Sequence, residues 1–359
     1  MNENCYFSKN YEEARDKFLS VALKNEFIAN NYRNPILGLS GEPLYTDALW
    51  IGPKDAKNVL VTSSGTHGVE AFLGSAVQVG AMETGLYSDL QPNTAVLLIH
   101  AINPWGFSWL RRTNEDGVDL FRNFINFDND VPINELYDDL IDFIVPKKNN
   151  LKSKVSMALA ILKYGRKNIK ARIPSGQYTQ PHGPFYGGLQ PTWSNKTLRT
   201  IINTYLDRAE KVIVIDYHTG LGEKGNGELI GFTKLADSTS GWGQKCWGSK
   251  YVSVFSSKST AYEIHGILEN AYKEELNDIP LLFSAHEFGT YPERKVFNAL
   301  QKDHWLHAYG DINSPTAIRI QQDMKNIFFP DQDSWKHTVI EQAFGAEQEA
   351  LNFFKNWST

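Results

Sequence analysis

Three residues of this chain have the types and placement of a hydrolytic metal site. His67 and Glu70 form a His-x-x-Glu pair behind the apolar run Asn58-Val-Leu-Val-Thr62, and His218 ends a second run, Val212-Ile-Val-Ile-Asp-Tyr-His218. Zinc in hydrolytic sites takes three protein nitrogen or oxygen ligands and keeps one position open for water, so two histidines and one glutamate are a sufficient set. Such chemistry also needs a carboxylate to take the proton of that water. Glu287, in Ser284-Ala-His-Glu-Phe-Gly-Thr290, stands at the end of a third apolar run.

Placement carries more weight than the pair itself, because His-x-x-Glu arises often by chance. Gly65 and Gly68 flank His67 and permit a tight turn at a strand end, which puts Glu70 in the first turn of the next helix, where the helix dipole favours a carboxylate. A structural alternative is that Glu70 caps that helix and His67 packs in a loop. Asp216, two residues before His218, shares its strand face and is either an orienting partner or a buried structural acid.

The elements that would position these residues follow from apolar runs. Residues 44–51, 58–63, 94–101, 211–217, 228–232 and 279–285 have the length and composition of strands, several of them continuously apolar, as in strands covered on both faces. Helical segments fall at about 68–84, 150–167, 193–209, 259–276, 293–308, 315–327 and 334–357. Another is expected over 8–30, with Ala14, Phe18, Val21 and Ala22 at helical spacing and Ser8 or Asn10 as cap. This alternation predicts an α/β three-layer sandwich with a mixed, mostly parallel central sheet, built as a single catalytic domain over residues 1–359. Ligands in such sheets bind beyond the carboxyl ends of the strands, where His67, His218 and Glu287 would meet. The Gly- and Pro-rich stretch 174–193 reads as a long ordered loop.

Composition narrows the function classes. With 359 residues, 42% of them hydrophobic and 13% aromatic, the chain can bury a large core. A net charge of −5 and a pI near 6.0, without a basic stripe, argue against nucleic-acid binding. The richest basic stretch, 163–172, reads as a solvated helix face. Cys5 and Cys246 are too few for a disulfide framework, no secretory signal opens the chain, and no run nears the roughly 20 apolar residues that span a bilayer. A cytoplasmic location is expected.

The segment Ala101-Ile-Asn-Pro-Trp-Gly106 and the run Arg111-Arg-Thr-Asn-Glu-Asp-Gly-Val-Asp-Leu-Phe-Arg122 bring a family into view. Together with the ligand pairs, Tyr178 to Gly188, Tyr217 to Gly222 and Glu287 to Thr290, they resemble the zinc carboxypeptidase family, over roughly residues 6–310. Tyr178 to Gly188, Tyr217 to Gly222 and Glu287 to Thr290 look like its uncharacterised bacterial branch, described only as a domain of unknown function. The resemblance implies one zinc per chain on His67, Glu70 and His218. Glu287 would act as general base on a zinc-activated water, Arg111 would polarise the scissile carbonyl, and Arg122 would hold a substrate carboxylate. Arg112 could replace Arg111, since spacing does not separate neighbours. The substrate expected is a small peptide or an N-acyl amino acid.

One position departs from the family pattern. Phe121 stands where the Asp-Leu-Asn-Arg motif has its Asn, while Arg122 remains. Either carboxylate recognition survives in altered form, or Arg122 is a structural partner of Asp119. The classical substrate tyrosine has no clear counterpart, although Tyr262 and Tyr291 lie in the right region. The resemblance also leaves room for a deacylase like aspartoacylase or succinylglutamate desuccinylase. A third reading, from another class, is a protein that binds such molecules without cleaving them.

Two further signals compete. Gly220-Leu-Gly-Glu-Lys-Gly225 spells the dinucleotide fingerprint, but that motif must open a helix, and the residues that follow read as a turn into a strand. His304 and His307, three apart on a helix beside Trp305, fit packing better than a second metal pair. His286 should face away from Glu287 if the segment is extended.

Overall fold

The computed structural model describes residues 3–147, 151–233, 240–256 and 264–357. Its eight strands are β1 (Ala29–Leu37), β2 (Pro43–Ile51), β3 (Asn58–Ser63), β4 (Thr94–His100), β5 (Lys211–Lys224), β6 (Gly227–Gly231), β7 (Tyr251–Ser253) and β8 (Leu281–Gly289). They form one sheet in the order β1-β2-β4-β3-β5-β8-β6-β7. β4, β3, β5 and β8 are mutually parallel, whereas β1, β2 and β6 join by antiparallel pairing.

The central strands are apolar throughout because both of their faces are covered. Leu60, Val96, Leu98, Ile213 and Ile215 pack on one side with Phe18, Phe72 and Val339, and Val59, Val61, Leu97, Val212 and Val214 pack on the other with Leu198, Ile201 and Tyr272. Period-two alternation thus serves two cores at once. The covering helices are α1 (Tyr11–Lys24), α2 (Ala71–Glu83), α3 (Pro104–Ser108), α4 (Glu135–Ile144), α5 (Leu151–Tyr164), α6 (Arg166–Arg172), α7 (Trp193–Tyr205), α8 (Ser240–Trp247), α9 (Glu269–Leu276), α10 (Glu293–Tyr309), α11 (Pro315–Phe328) and α12 (Asp333–Phe353). The result is the expected three-layer sandwich.

Several boundaries shift. The helix expected over 8–30 begins after Asn10, whose side chain accepts Glu13 N–H, and stops at Lys24, since 29–37 form β1. The helix expected over 259–276 starts at Glu269, while 259–263 lie outside the described residues. The basic stretch 163–172 spans the end of α5 and all of α6, with a break at Gly165, whose φ is 76°. β5 runs on to Lys224 and turns at Gly225 into β6, so no helix opens at Gly220–Gly225, as the sequence suggested. Among the described residues no helix is long and apolar enough to cross a membrane.

Candidate metal centre

The parallel neighbours β3, β5 and β8 all present their carboxyl ends at one edge of the sheet. After β3 the chain turns at Gly65, whose φ of 73° suits glycine, and Gly68 passes so close to Gly106 that a Cβ there would stand 2.0 Å from its carbonyl carbon. This contact lets Gly68 and Val69 donate their N–H groups to the carbonyls of Arg112 and Arg111. The turn carrying His67 and Glu70 is therefore tied to the arginine segment by backbone bonds.

His67, Glu70 and His218 converge in a buried group whose ligand atoms all lie within 4.8 Å of one another. His67 Nδ1 is 3.0 Å and His218 Nδ1 3.1 Å from the Glu70 carboxylate, and the two Nδ1 atoms are 3.1 Å apart. Each imidazole is held from behind by an acid. His67 Nε2 lies 3.0 Å from Asp119 Oδ1, and His218 Nε2 lies 2.6 Å from Asp216 Oδ2. A carboxylate behind each ring fixes the proton on Nε2 and turns the Nδ1 lone pair inward, which is how metal-ligating histidines are oriented. Ser63 and Thr66 hydroxyls donate to Asp216, and the Phe121 N–H donates to Asp119.

The donor set fits a cation on charge as well. Four buried carboxylates, Glu70, Asp119, Asp216 and Glu287, stand around this group with two buried guanidiniums, Arg112 and Arg122. A surplus of negative charge in a low-dielectric interior calls for a positive partner. Burial alone would depress His218, but Asp216 and Glu70 outweigh it and raise its pKa to about 10, so a cation at Nδ1 would take the place of a proton there. Asp119 is likewise subject to burial, yet Arg112 and Arg122 hold it well below the usual carboxylate range.

Glu287 stands directly across from His218, as register partners of adjacent parallel strands. Both line a cavity of about 340 Å³ that also reaches Arg112, Phe121, Arg122 and Phe232. Burial, followed by the neighbouring Glu70 charge, raises Glu287 to about 7, while its Oε1 accepts the Leu221 N–H at 2.9 Å. No ion pair joins it to Arg294 among the described residues, although Arg294 lines the same cavity.

The two neighbouring arginines part company. Arg112 Nη1 donates to Glu70 Oε1 at 2.7 Å and its Nε to Asp119 Oδ2 at 3.1 Å. Arg111, expected at the scissile carbonyl, instead grips Asp303 of α10 through Nε at 3.0 Å and Nη2 at 2.9 Å, and it is not among the cavity-lining residues. The spacing treated the two as interchangeable, yet consecutive side chains diverge. Arg122 lines the cavity with its donors turned to its surroundings, Nη1 to the Phe121 carbonyl at 3.1 Å and Nη2 to the Pro174 carbonyl at 2.7 Å. It also lies 3.7 Å from Asp119. The Phe121 ring packs edge-on against His218, His67 and Phe232, with centroid separations of 4.9, 5.9 and 5.6 Å.

Other candidates fall elsewhere. His304 is buried and its Nδ1 lies 3.1 Å from the His182 carbonyl oxygen, while His307 lies 3.7 Å from Asp303. His286 faces a separate cavity with Gly227 and Gln342 on the far side of the sheet. Tyr291 lies beside Lys224 and Lys295, and Tyr262 lies outside the described residues. The residue that sequence reasoning placed only as a partner for Arg122, Asp119, touches His67 and Arg112 as well. Its signal was its position in the Gly117-Val-Asp-Leu-Phe-Arg-Asn123 run.

The overall architecture is similar to known structures. Bovine thrombin-activatable fibrinolysis inhibitor, in complex with tick carboxypeptidase inhibitor, matches with a TM-score of 0.54 at 12% identity, over 98% of this chain and 99% of that one. A second structure of thrombin-activatable fibrinolysis inhibitor gives a TM-score of 0.53 at 12% identity, over 97% and 75%. Carboxypeptidase A from Helicoverpa armigera gives 0.48 at 13% identity, over 94% and 74%. The mixed sheet and its flanking helices share the carboxypeptidase-like fold. No curated protein matches the sequence. A family model described as a protein of unknown function, DUF2817, matches residues 7–342, and the chain belongs to that family.

Proposed function

We propose that this protein is a zinc-dependent hydrolase that cleaves an amide bond in a small peptide or an N-acyl amino acid, acting as a single catalytic domain. The observation that carries this reading is that His218 and Glu287 are paired across neighbouring strands and face one cavity. A carboxylate outside the three-residue ligand group, beside it and open to the cavity, has the placement of a base. His67, Glu70 and His218 would hold the cation, which when bound supplies Lewis acidity that polarises a carbonyl and makes water more acidic.

The protein side of the chemistry follows from the contacts. Leu221 N–H fixes Glu287 Oε1, which orients the carboxylate and leaves Oε2 for proton transfer. Glu287 takes a proton from water and returns it to the leaving nitrogen. Arg112 takes the role of the carbonyl-polarising guanidinium, because it stands against Glu70 at the cavity wall while Arg111 is spent on Asp303. Binding without cleavage would leave no task for Glu287. Glu287→Gln should keep fold and metal and lower turnover by about 10²- to 10⁴-fold. Unchanged turnover in that variant contradicts the reading.

A further inference from the structure

The wall beside His218 differs from one built to hold a carboxylate, and the difference lies in charge and in an aromatic ring. Phe121 puts an aromatic ring against His218 at the position that could have offered an amide, and Phe232 extends this apolar wall. Ile230, Ile264 and Ala285 line the cavity together with them. Arg112 and Arg122 are the buried guanidiniums of the lining, and the terminal nitrogens of Arg122 are anchored on the carbonyls of Phe121 and Pro174. Its Nε has no partner among the described residues. Each terminal nitrogen keeps a second N–H, so it is the aromatic ring, not a lack of N–H groups, that sets this wall apart.

Charge points the same way. Glu70, Asp119, Asp216 and Glu287 face Arg112 and Arg122, so a divalent cation on the ligand set brings the group to neutrality. Among the described residues no buried positive charge is then left over for a substrate carboxylate, whose desolvation would go uncompensated. At the cavity mouth Lys170 is paired with Glu293 at 2.7 Å, and Arg294 is exposed, where solvent screens it.

We propose that the group seated against Phe121 and Phe232 is apolar and uncharged, so that the preferred substrates carry a bulky aromatic or branched side chain whose carboxyl is blocked as an amide or ester. This rests on the hydrolase reading for the position of the scissile bond and for the cation in the charge count. In the reaction, water adds its hydroxyl to the acyl carbon as the C–N bond breaks, and its proton goes to the nitrogen, giving an acid and a free amine that still bears its blocked carboxyl.

The test compares N-acetylphenylalaninamide with N-acetylphenylalanine, by calorimetric binding to the zinc-equilibrated full-length wild-type protein under conditions of negligible turnover and by release of amine from the same protein. The carboxamide should bind at least about tenfold tighter, the scale set by one uncompensated buried charge. Phe121→Asn should narrow that ratio, and Phe121→Leu, which keeps the wall apolar, should preserve it. Equal or tighter binding of the free acid overturns the inference, as does no binding of either up to about 10 mM. If the carboxamide binds tighter but the wild type cleaves neither compound, the hydrolase reading fails while the preference of the cavity stands.

Discussion

Consecutive residues of β5 point to opposite faces of the sheet and meet two buried acids of different character. On one side His218 joins Glu70, which is burdened by burial but lowered further by His67 and Arg112. On the other side Tyr217 donates to Glu347 Oε1 at 2.5 Å, and Tyr87 donates to Oε2 at 2.6 Å. Glu347 sits on α12 with two phenols as its hydrogen-bond donors, and burial pushes it up to about 7. Equal burial thus gives an anion where cations surround it and a carboxyl with a raised pKa where only hydroxyls do. The first arrangement is suited to holding a metal, the second to fastening a helix to a strand.

The comparison can be broken most severely at its charged contacts. Arg111→Ala would leave Asp303 buried and unpaired, and should cost about 3–5 kcal/mol of stability in urea denaturation. Arg112→Ala should depress turnover more than stability, because Asp119 keeps Arg122 and His67. If the two variants behaved alike, the division of labour between these neighbours would be wrong.

Asp216→Asn removes the carboxylate behind His218. It should weaken metal affinity by about 10- to 100-fold in a competition titration, with fold retained, as expected for a group that orients a ligand. No change would make Asp216 a structural acid only.

A pH-dependent effect concerns Glu347. Its pKa in the folded protein exceeds the ordinary 4.5, so the folded state holds a proton that the unfolded chain has released. Its contribution is complete below about 4.5 and is lost as pH rises towards about 7, at a slope of up to about 1.4 kcal/mol per pH unit. Glu347→Gln should flatten that fall, measured by denaturation between pH 5 and 7.5. An unchanged slope would assign it to other groups.

How much of this could be read from the sequence depended on whether the signal was local. β3, β4 and β5 were legible because strands covered on both faces must be apolar at every position. β1 was not, since Ala29-Asn-Asn-Tyr-Arg-Asn-Pro-Ile-Leu37 is an edge strand, mostly exposed and half polar, and β7 has three residues. In α4 the apolar stripe of Leu136, Leu140 and Ile144 and the cap by Asn134 were present in the sequence but were not read as a helix. In the site, the metal-type residues were legible from their place behind apolar runs. The assignment of Arg111 to Asp303, 192 residues away, and of Asp119 to His67 rests on tertiary packing that no spacing rule encodes.

The central claim is that His67, Glu70 and His218 together bind one catalytic cation. Elemental analysis of protein purified without chelator or nickel resin, beside a His218→Ala variant, tests it most directly. The account predicts about one zinc per wild-type chain and none in the variant. A wild-type protein that carries no metal and takes up none on titration would contradict it.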